Sequence, residues 1–164
     1  METIFYLSEK KSINYKGRVI ETGIFKFPVK HPIFLDIEDV RNDDVIDRRY
    51  HGGIDKDVYG YSENHYKNWK GLYQKLDWGY GMFGENLTIS NLEETELQVG
   101  DTYQLGEALI EVSQPRQPCM KLGIRFGTQK ILKQFWLSNK RGIYFKIVQV
   151  RNVKVGDEVI LEKT

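Results

Sequence analysis

Short runs that mix β-branched, aromatic and polar residues occupy most of the chain, and this pattern is typical of β-strands. Residues 18–27 form one such run, which ends at Pro28. Residues 30–37 form another, in which Pro32 suits an edge strand or a turn. The pattern therefore predicts a protein built mainly from short strands. Further strands are predicted at residues 88–89, 102–105, 109–113, 143–150 and 158–162.

Two segments have a helical periodicity instead. In residues 55–76, apolar side chains recur at steps of three or four, which makes one face of an amphipathic helix. Residues 129–137 carry a second such face, and Thr128 is a suitable N-cap before them. Because strands dominate, we expect a mainly β, barrel-like body with a few packed helices. The first apolar face comprises Val58, Tyr61, His65, Trp69, Leu72 and Leu76, and the second Ile131, Leu132, Phe135 and Trp136.

One short pattern occurs twice, as LQVGDTYQL at residues 97–105 and as VKVGDEVIL at residues 153–161. Glycine and aspartate supply the backbone freedom and the local hydrogen bonds that a tight turn needs. We therefore expect both copies to be hairpins at the rim of a barrel.

The composition is that of an ordinary globular domain. The chain has 164 residues, of which 40% are hydrophobic and 29% charged, and this fits one domain over residues 1–164. Twenty-four basic and 23 acidic residues give a net charge of +1, which argues against a dedicated nucleic-acid-binding protein.

Cysteine usage and the absence of sorting signals bear on location. A single cysteine allows no intramolecular disulfide and favours a reducing compartment. The start, METIFYLSEKK, lacks the pattern of a secretory signal, and no run approaches the roughly 20 apolar residues of a membrane-spanning helix. We expect a cytoplasmic protein that binds neither membrane nor nucleic acid.

The cysteine itself is the first candidate for chemistry. Cys119 follows a predicted strand in the segment SQPRQPC, where Pro115 and Pro118 restrict the backbone to extended conformations. Arg116 and Lys121 are close in sequence, and a nearby cation favours the thiolate, which is a soft metal ligand and a nucleophile. The alternative is an inert buried cysteine that acts as a small hydrophobic residue.

A glycine pair before the first predicted helix is the second candidate. In His51-Gly52-Gly53, the two glycines permit close backbone approach, and successive N–H groups at a helix start can cradle an anion. Arg48 and Arg49 add positive charge, and His51 can donate to a phosphate or ligate a metal. The alternative is a tight turn with a packed histidine. No Walker-type lysine follows, so the segment is not a P-loop.

Two further positions carry polar groups in apolar surroundings. Glu85 and Asn86 lie between a glycine-rich turn and a strand, where a carboxylate and an amide can recognise a heterocycle by paired hydrogen bonds or simply cap the turn. Lys26 is a lone lysine in the apolar segment TGIFKFPV and either binds an anion or points to solvent.

Five of these motifs together resemble a known family. TGIFKFPV, RRYHGGIDKDVYGYSENHYKNW, FGENLTI, the VGD turn and SQPRQPC occur in this order. The chain thereby resembles the MOSC domain, named from the C-terminal part of eukaryotic molybdenum cofactor sulfurase. The resemblance covers residues 17–161, and the compact length is similar to that of free-standing bacterial MOSC proteins of the 6-N-hydroxylaminopurine-resistance type.

The resemblance implies a fold, a cofactor and a set of site residues. The fold would be the MOSC-type β-barrel, with flanking helices. The cofactor would be molybdenum cofactor (molybdopterin), a phosphorylated pterin dithiolene that carries molybdenum. Cys119 would be a ligand to molybdenum or a sulfur-carrying thiol. Lys26, His51, Gly52, Gly53 and Arg116 would hold the pterin phosphate, and Glu85 and Asn86 would bind the ring edge.

The family pattern leaves three functions in competition. The leading one is reduction of N-hydroxylated bases or related N-oxygenated small molecules, with electrons from a separate donor protein. The second is sulfur transfer, with a Cys119 persulfide supplied by a desulfurase. The third is a non-catalytic module that presents the cofactor. Pyridoxal phosphate, associated with the family through another domain of the sulfurase, is not expected here. Asp57 and Gly60 depart from the small apolar residues of the family pattern beside the expected pocket.

Overall fold

The computed structural model describes residues 2–10, 13–15, 18–20, 26–30, 33–35, 58–117, 120–149 and 151–163. Within these ranges the chain is mostly β-sheet, with three α-helices. The strands are β1 (Glu2–Lys10), β2 (Ile13–Tyr15), β3 (Arg18–Ile20), β4 (Lys26–Val29), β5 (Ile33–Leu35), β6 (Val58–Ser62), β7 (Leu87–Ser90), β8 (Thr102–Leu105), β9 (Ala108–Pro115), β10 (Ile143–Gln149), β11 (Arg151–Val153) and β12 (Glu158–Lys163). The helices are α1 (Glu63–Leu72), α2 (Met120–Phe126) and α3 (Lys130–Leu137).

The main sheet closes on itself. Its strand order is β12-β8-β9-β10-β6-β7-β1-β4, and β12 also pairs with β1. The start of β1 pairs with β12, Glu2 opposite Val159, and its end pairs with β4, Leu7 opposite Val29. Neighbouring strands are antiparallel except for β6 and β7, whose parallel pairing requires a crossover that contains α1. The expectation of a mainly β barrel with a few helices is confirmed.

Two apolar clusters lie on opposite faces of the barrel wall. Because side chains alternate along a strand, Val58 of β6 faces the barrel interior, whereas Tyr59 and Tyr61 face the helices. The interior cluster includes Phe145 and Ile110, and the outer cluster joins the aromatic residues of β6 to α1, α2 and α3. The helices are thus held to the outside of the barrel by an aromatic layer.

The predicted helix over residues 55–76 is wrong at its start. Residues 58–62 form β6, all five of them buried, and α1 begins only at Glu63, while residues 55–57 lie outside the described ranges. A strand covered on both faces reads as a continuous apolar run, which periodicity confuses with a helix. Gly60 lets a ring approach the strand, since a Cβ there would lie 2.8 Å from Phe145 Cε2. Gly60 therefore faces the barrel interior. Leu72, predicted to face inward, is 58% exposed.

The second predicted helix is confirmed as α3. Thr128 Oγ1 accepts a hydrogen bond from Lys130 N at 3.3 Å, but the predicted N-cap is wrong by one position, because α3 begins at Lys130 and its N-cap is Gln129. Phe135 and Ile131 are buried, but Trp136 is 52% exposed, so its inward orientation was wrongly predicted. The sequence reasoning missed β1 and α2, and it joined β3 and β4 into one strand. Pro28 lies inside β4, an edge strand of the main sheet.

Both Val-Gly-Asp segments form the same turn. Asp101 Oδ2 accepts from Gln98 N at 3.1 Å, and Asp157 Oδ2 accepts from Lys154 N at 2.9 Å. The glycine between them has a φ of 96° in the first copy and 95° in the second. The hairpin expectation is wrong for both copies. Before the first turn, residues 94–96 form a 3-10 helix and no strand follows until β8. Before the second turn, β11 pairs with β5 rather than with β12.

Candidate functional site

Four of the eight predicted site residues lie in the part of the chain that the structure describes. They are Lys26, Glu85, Asn86 and Arg116, and all four are buried. The other four, His51, Gly52, Gly53 and Cys119, lie outside the described residues, so their roles stay predictions.

A tight turn before β7 is the centre of the site. Gly84 N donates to Gly81 O at 2.9 Å and closes the turn, while Met82 and Phe83 are buried within it. Tyr66 of α1 fixes the turn from outside, since its hydroxyl accepts from Met82 N at 3.2 Å. We call residues 81–86 the site turn.

Glu85 lies at the core of the site turn and is fully buried. Its Oε2 accepts from the Tyr66 hydroxyl at 2.5 Å and from Thr88 Oγ1 at 3.2 Å, and its Oε1 accepts from Phe83 N at 3.2 Å. Burial raises the pKa of Glu85, and the hydrogen bonds from Tyr66, Phe83 and Thr88 act in the opposite direction. Both carboxylate oxygens are therefore engaged by donors of the protein itself.

Asn86 joins the site turn to β6. Its N donates to Tyr59 O at 2.9 Å, and its Oδ1 accepts from Tyr59 N at 3.2 Å. The amide side chain thereby satisfies the backbone of β6 before the parallel pairing with β7 begins at Gly60 and Leu87. Binding of a pterin ring edge by Glu85 and Asn86 stays a prediction. The Glu85 carboxylate and the Asn86 amide oxygen would have to bind the ring in addition to the protein groups that they already contact.

Arg116 connects the end of β9 to the same turn. Its Nη1 donates to Phe83 O, and its Cζ lies 4.7 Å from the centre of the Tyr59 ring and 5.8 Å from that of Phe135. Its backbone N donates to Gly142 O at 3.2 Å. A guanidinium that is only 1% exposed is thus held between aromatic rings and a carbonyl oxygen.

The structure adds Arg125 of α2, which the sequence reasoning missed. Its Nη2 donates to Lys26 O at 3.2 Å, and its Nε lies 3.4 Å from Met82 Sδ as a weak hydrogen bond. Burial lowers the pKa of the Arg125 guanidinium, while Glu85, among other acidic groups nearby, raises it. Arg125 therefore joins α2, β4 and the site turn. In sequence, α2 directly follows Cys119.

A separate cavity of about 220 Å³ lies beside Pro115 and Ile143. On its rim, the Glu94 carboxylate accepts from Gly142 N at 2.9 Å and from Arg141 N at 3.2 Å. The predicted site residues that the structure describes do not line this cavity.

The described residues offer neither a cluster of metal ligands nor a membrane-spanning helix. Among these residues, no group of three or more histidine, cysteine, aspartate or glutamate side chains is arranged to hold a metal ion. No helix found there is long and apolar enough to cross a membrane.

The chain is similar in sequence to a known domain family and to proteins of other organisms. A family model described as the MOSC domain matches residues 47–160. The chain is 37% identical to the protein YflK of Bacillus subtilis over 150 residues, which are 92% of this chain and 67% of YflK. It is 31% identical to a protein of Gibberella moniliformis named Reductase over 153 residues, which are 88% of this chain and only 26% of that protein.

The fold has a counterpart among solved structures. The crystal structure of YiiM from Geobacillus stearothermophilus matches 99% of this chain and 76% of that chain, with a TM-score of 0.80 and 29% sequence identity. The similarity therefore extends over the barrel and its helices together.

Proposed function

Because the chain belongs to the MOSC domain family, a molybdenum-cofactor-associated family, we propose that it binds molybdenum cofactor and reduces N-hydroxylated bases or related N-oxygenated compounds with electrons from an external donor. One observation supports the location of the proposed cofactor site. The hydrogen bond from Arg125 to the Lys26 carbonyl holds α2, the helix after Cys119, against the strand that contains Lys26. The strand that contains Lys26 and the helix that follows Cys119 in sequence are thereby neighbours, which supports the proposal.

The described residues fit an anionic cofactor that carries a soft metal. Lys26 and Arg125 bring two basic residues to one region, because Arg125 Nη2 donates to the Lys26 carbonyl, and basic residues favour the approach of an anion. Cys119, next to α2 in sequence, supplies the soft ligand that molybdenum accepts.

Each residue then has a defined task. When bound, the cofactor supplies the two-electron redox chemistry of the site. Cys119 ligates the metal, while Lys26 and the His51-Gly52-Gly53 segment hold the phosphate. Arg116 acts through Phe83 O, because its guanidinium already holds that carbonyl in place. Glu85 and Asn86 give the site turn a fixed geometry beside the ring edge.

The test is turnover of an N-hydroxylated base by protein purified from a host that makes the cofactor. We expect many turnovers with a reduced viologen dye and at most one with NADH. The sequence has no dinucleotide-binding fingerprint, no second cysteine and no four-thiolate set for an iron–sulfur cluster. Cofactor-loaded protein that never reduces the base with viologen would refute the reductase function. A mass increase of one sulfur atom on Cys119 would then favour the sulfur-carrier alternative.

A further inference from the structure

Helices α1 and α3 carry large apolar side chains on their outer surface. Leu72 at the end of α1 is 58% exposed, Trp136 of α3 is 52% exposed, and Leu137 is 72% exposed. The two helices meet at two places. The buried rings of Trp69 and Phe135 stack with centres 5.7 Å apart, and at the surface the hydroxyl of Tyr73, which follows α1, donates to the side chain of Gln134 in α3. The outer sides of the two helices are therefore joined, and exposed apolar residues on such a surface are typical of interaction sites.

Both helical segments are also rich in basic residues. Residues 63–76 contain three lysines and one acidic residue, and residues 128–142 contain four basic residues and no acidic one, whereas the whole chain has a net charge of +1. Lys67, Lys70 and Lys133 are exposed. We call this face, formed by Lys67, Lys70, Lys130, Lys133, Trp136 and Leu137, the basic helical surface.

Helix α3 connects the basic helical surface to the site. Phe135, which precedes Trp136 in sequence, is buried, its ring centre lies 5.8 Å from Arg116 Cζ, and Arg116 in turn holds Phe83 O. At the surface, Arg141 Cζ lies 5.3 Å from the centre of the Trp136 ring, and this contact orders both side chains. Tryptophan and arginine are residue types that are enriched in interface hot spots.

Two other exposed apolar residues lie apart from each other. Val148 lies on β10 and Leu161 on β12, and β9 and β8 separate these strands in the sheet. A lipid surface is also a poor occupant of α3. The apolar positions Ile131 and Phe135 are buried in the aromatic layer, so Trp136 and Leu137 are all that α3 offers to a bilayer.

We infer that the basic helical surface docks a small acidic protein that carries one electron at a time. The inference rests on the proposed function, and it specifies the chemical class of the electron donor and the surface on which the donor docks. Reduction of R–NHOH breaks the N–O bond and consumes two electrons and two protons, to give R–NH₂ and water. Two encounters with a one-electron carrier supply the electrons, and solvent supplies the protons. Opposite charge raises the rate of encounter, and Trp136 and Leu137 provide the apolar contact.

The experiment uses reduced flavodoxin, an acidic flavin protein, as the probe. The variant is Lys70→Glu/Lys133→Glu, which changes exposed positions of both helices and keeps good helix formers. The control is Lys154→Glu, an exposed lysine on the turn before β12. Cofactor-loaded proteins are compared in kcat/KM for flavodoxin, in calorimetric binding of flavodoxin at low and high salt, and in turnover with reduced viologen.

We expect the double variant to lose about 10-fold or more in kcat/KM for flavodoxin at low salt, with weaker binding to match, because surface charges steer association. Viologen turnover stays at the wild-type rate, and the control matches wild type throughout. Equal flavodoxin kinetics in the double variant and wild type would overturn the inference. So would viologen turnover by wild type without any flavodoxin turnover. Binding to phosphatidylserine vesicles is measured as well, and a double variant that loses only this binding would also overturn the inference. Failure of viologen turnover in wild type would refute the proposed function instead.

Discussion

Replacing Tyr66 by phenylalanine removes one hydroxyl from the hydrogen-bond network of Glu85. That hydroxyl donates to Glu85 Oε2 at 2.5 Å and accepts from Met82 N at 3.2 Å. A hydrogen bond to a charged group contributes about 1.5–3 kcal/mol, and a buried N–H left without an acceptor costs about 1–3 kcal/mol. Because one hydroxyl serves both partners, the two effects overlap, and we expect the free energy of unfolding to fall by about 3 kcal/mol.

The pH dependence of this loss has a definite sign. Burial raises the pKa of Glu85 in the folded protein above its value in the unfolded chain. The stability that protonated Glu85 contributes is therefore fully present below the unfolded-state pKa, and it is lost as the pH rises through the folded-state pKa. The Tyr66 hydrogen bond favours the ionised carboxylate and limits that loss. Tyr66→Phe therefore raises the pKa of Glu85 further, and its destabilisation is larger above the folded pKa than below the unfolded one.

Urea denaturation at a series of pH values measures both effects, with the midpoint and the slope determined for each protein. The matched control is Tyr73→Phe, because the Tyr73 hydroxyl also donates to a side chain, that of Gln134, but at the surface. We expect the control to lie within about 0.5 kcal/mol of wild type. If Tyr66→Phe also stays within about 0.5 kcal/mol of the wild-type free energy of unfolding at every pH, the role given to the Glu85 network is refuted.

Two further predictions concern packing. Gly60→Ala should destabilise the fold by about 1–3 kcal/mol, because the new Cβ would lie 2.8 Å from the Phe145 ring. Gly71→Ala in α1 is the control, because its Cβ would have no atom within 4 Å, and it should stabilise the fold by about 0.5–1 kcal/mol. Equal melting temperatures for the two variants would contradict this prediction. Arg116→Lys should lower the free energy of unfolding by about 2 kcal/mol, since an ammonium cannot stack on Tyr59, and a urea midpoint equal to that of wild type would count against the stacked guanidinium.

Local signals in the sequence predicted those elements whose partners are near in the chain. The strand at residues 102–105 was predicted with its observed bounds, and it pairs with β9 after a short connection. The helix at residues 129–137 was placed within one residue by its apolar face and Thr128. The polar character of Glu85 and Lys26 in apolar segments also identified two residues that the structure places close to Arg125.

The errors occurred where distant contacts decide the structure. Residues 58–62 are a strand because β10 and β7 flank them and both faces are covered, which no window of local sequence shows. β1 exists through pairing with β12, β7 and β4 together. Arg125 escaped notice because α2 is short and follows two prolines, and because its partner, Lys26, lies 99 residues earlier.

Molybdenum content tests the central claim most directly. Wild-type protein and Cys119→Ser are purified from a cofactor-producing host and compared by elemental analysis, pterin fluorescence and melting temperature. We predict stoichiometric molybdenum with pterin in wild type and loss of molybdenum in Cys119→Ser without a change in fold, because a neutral hydroxyl is a poor ligand for a soft metal. Wild-type protein without molybdenum, or a serine variant with full molybdenum occupancy, would contradict the account.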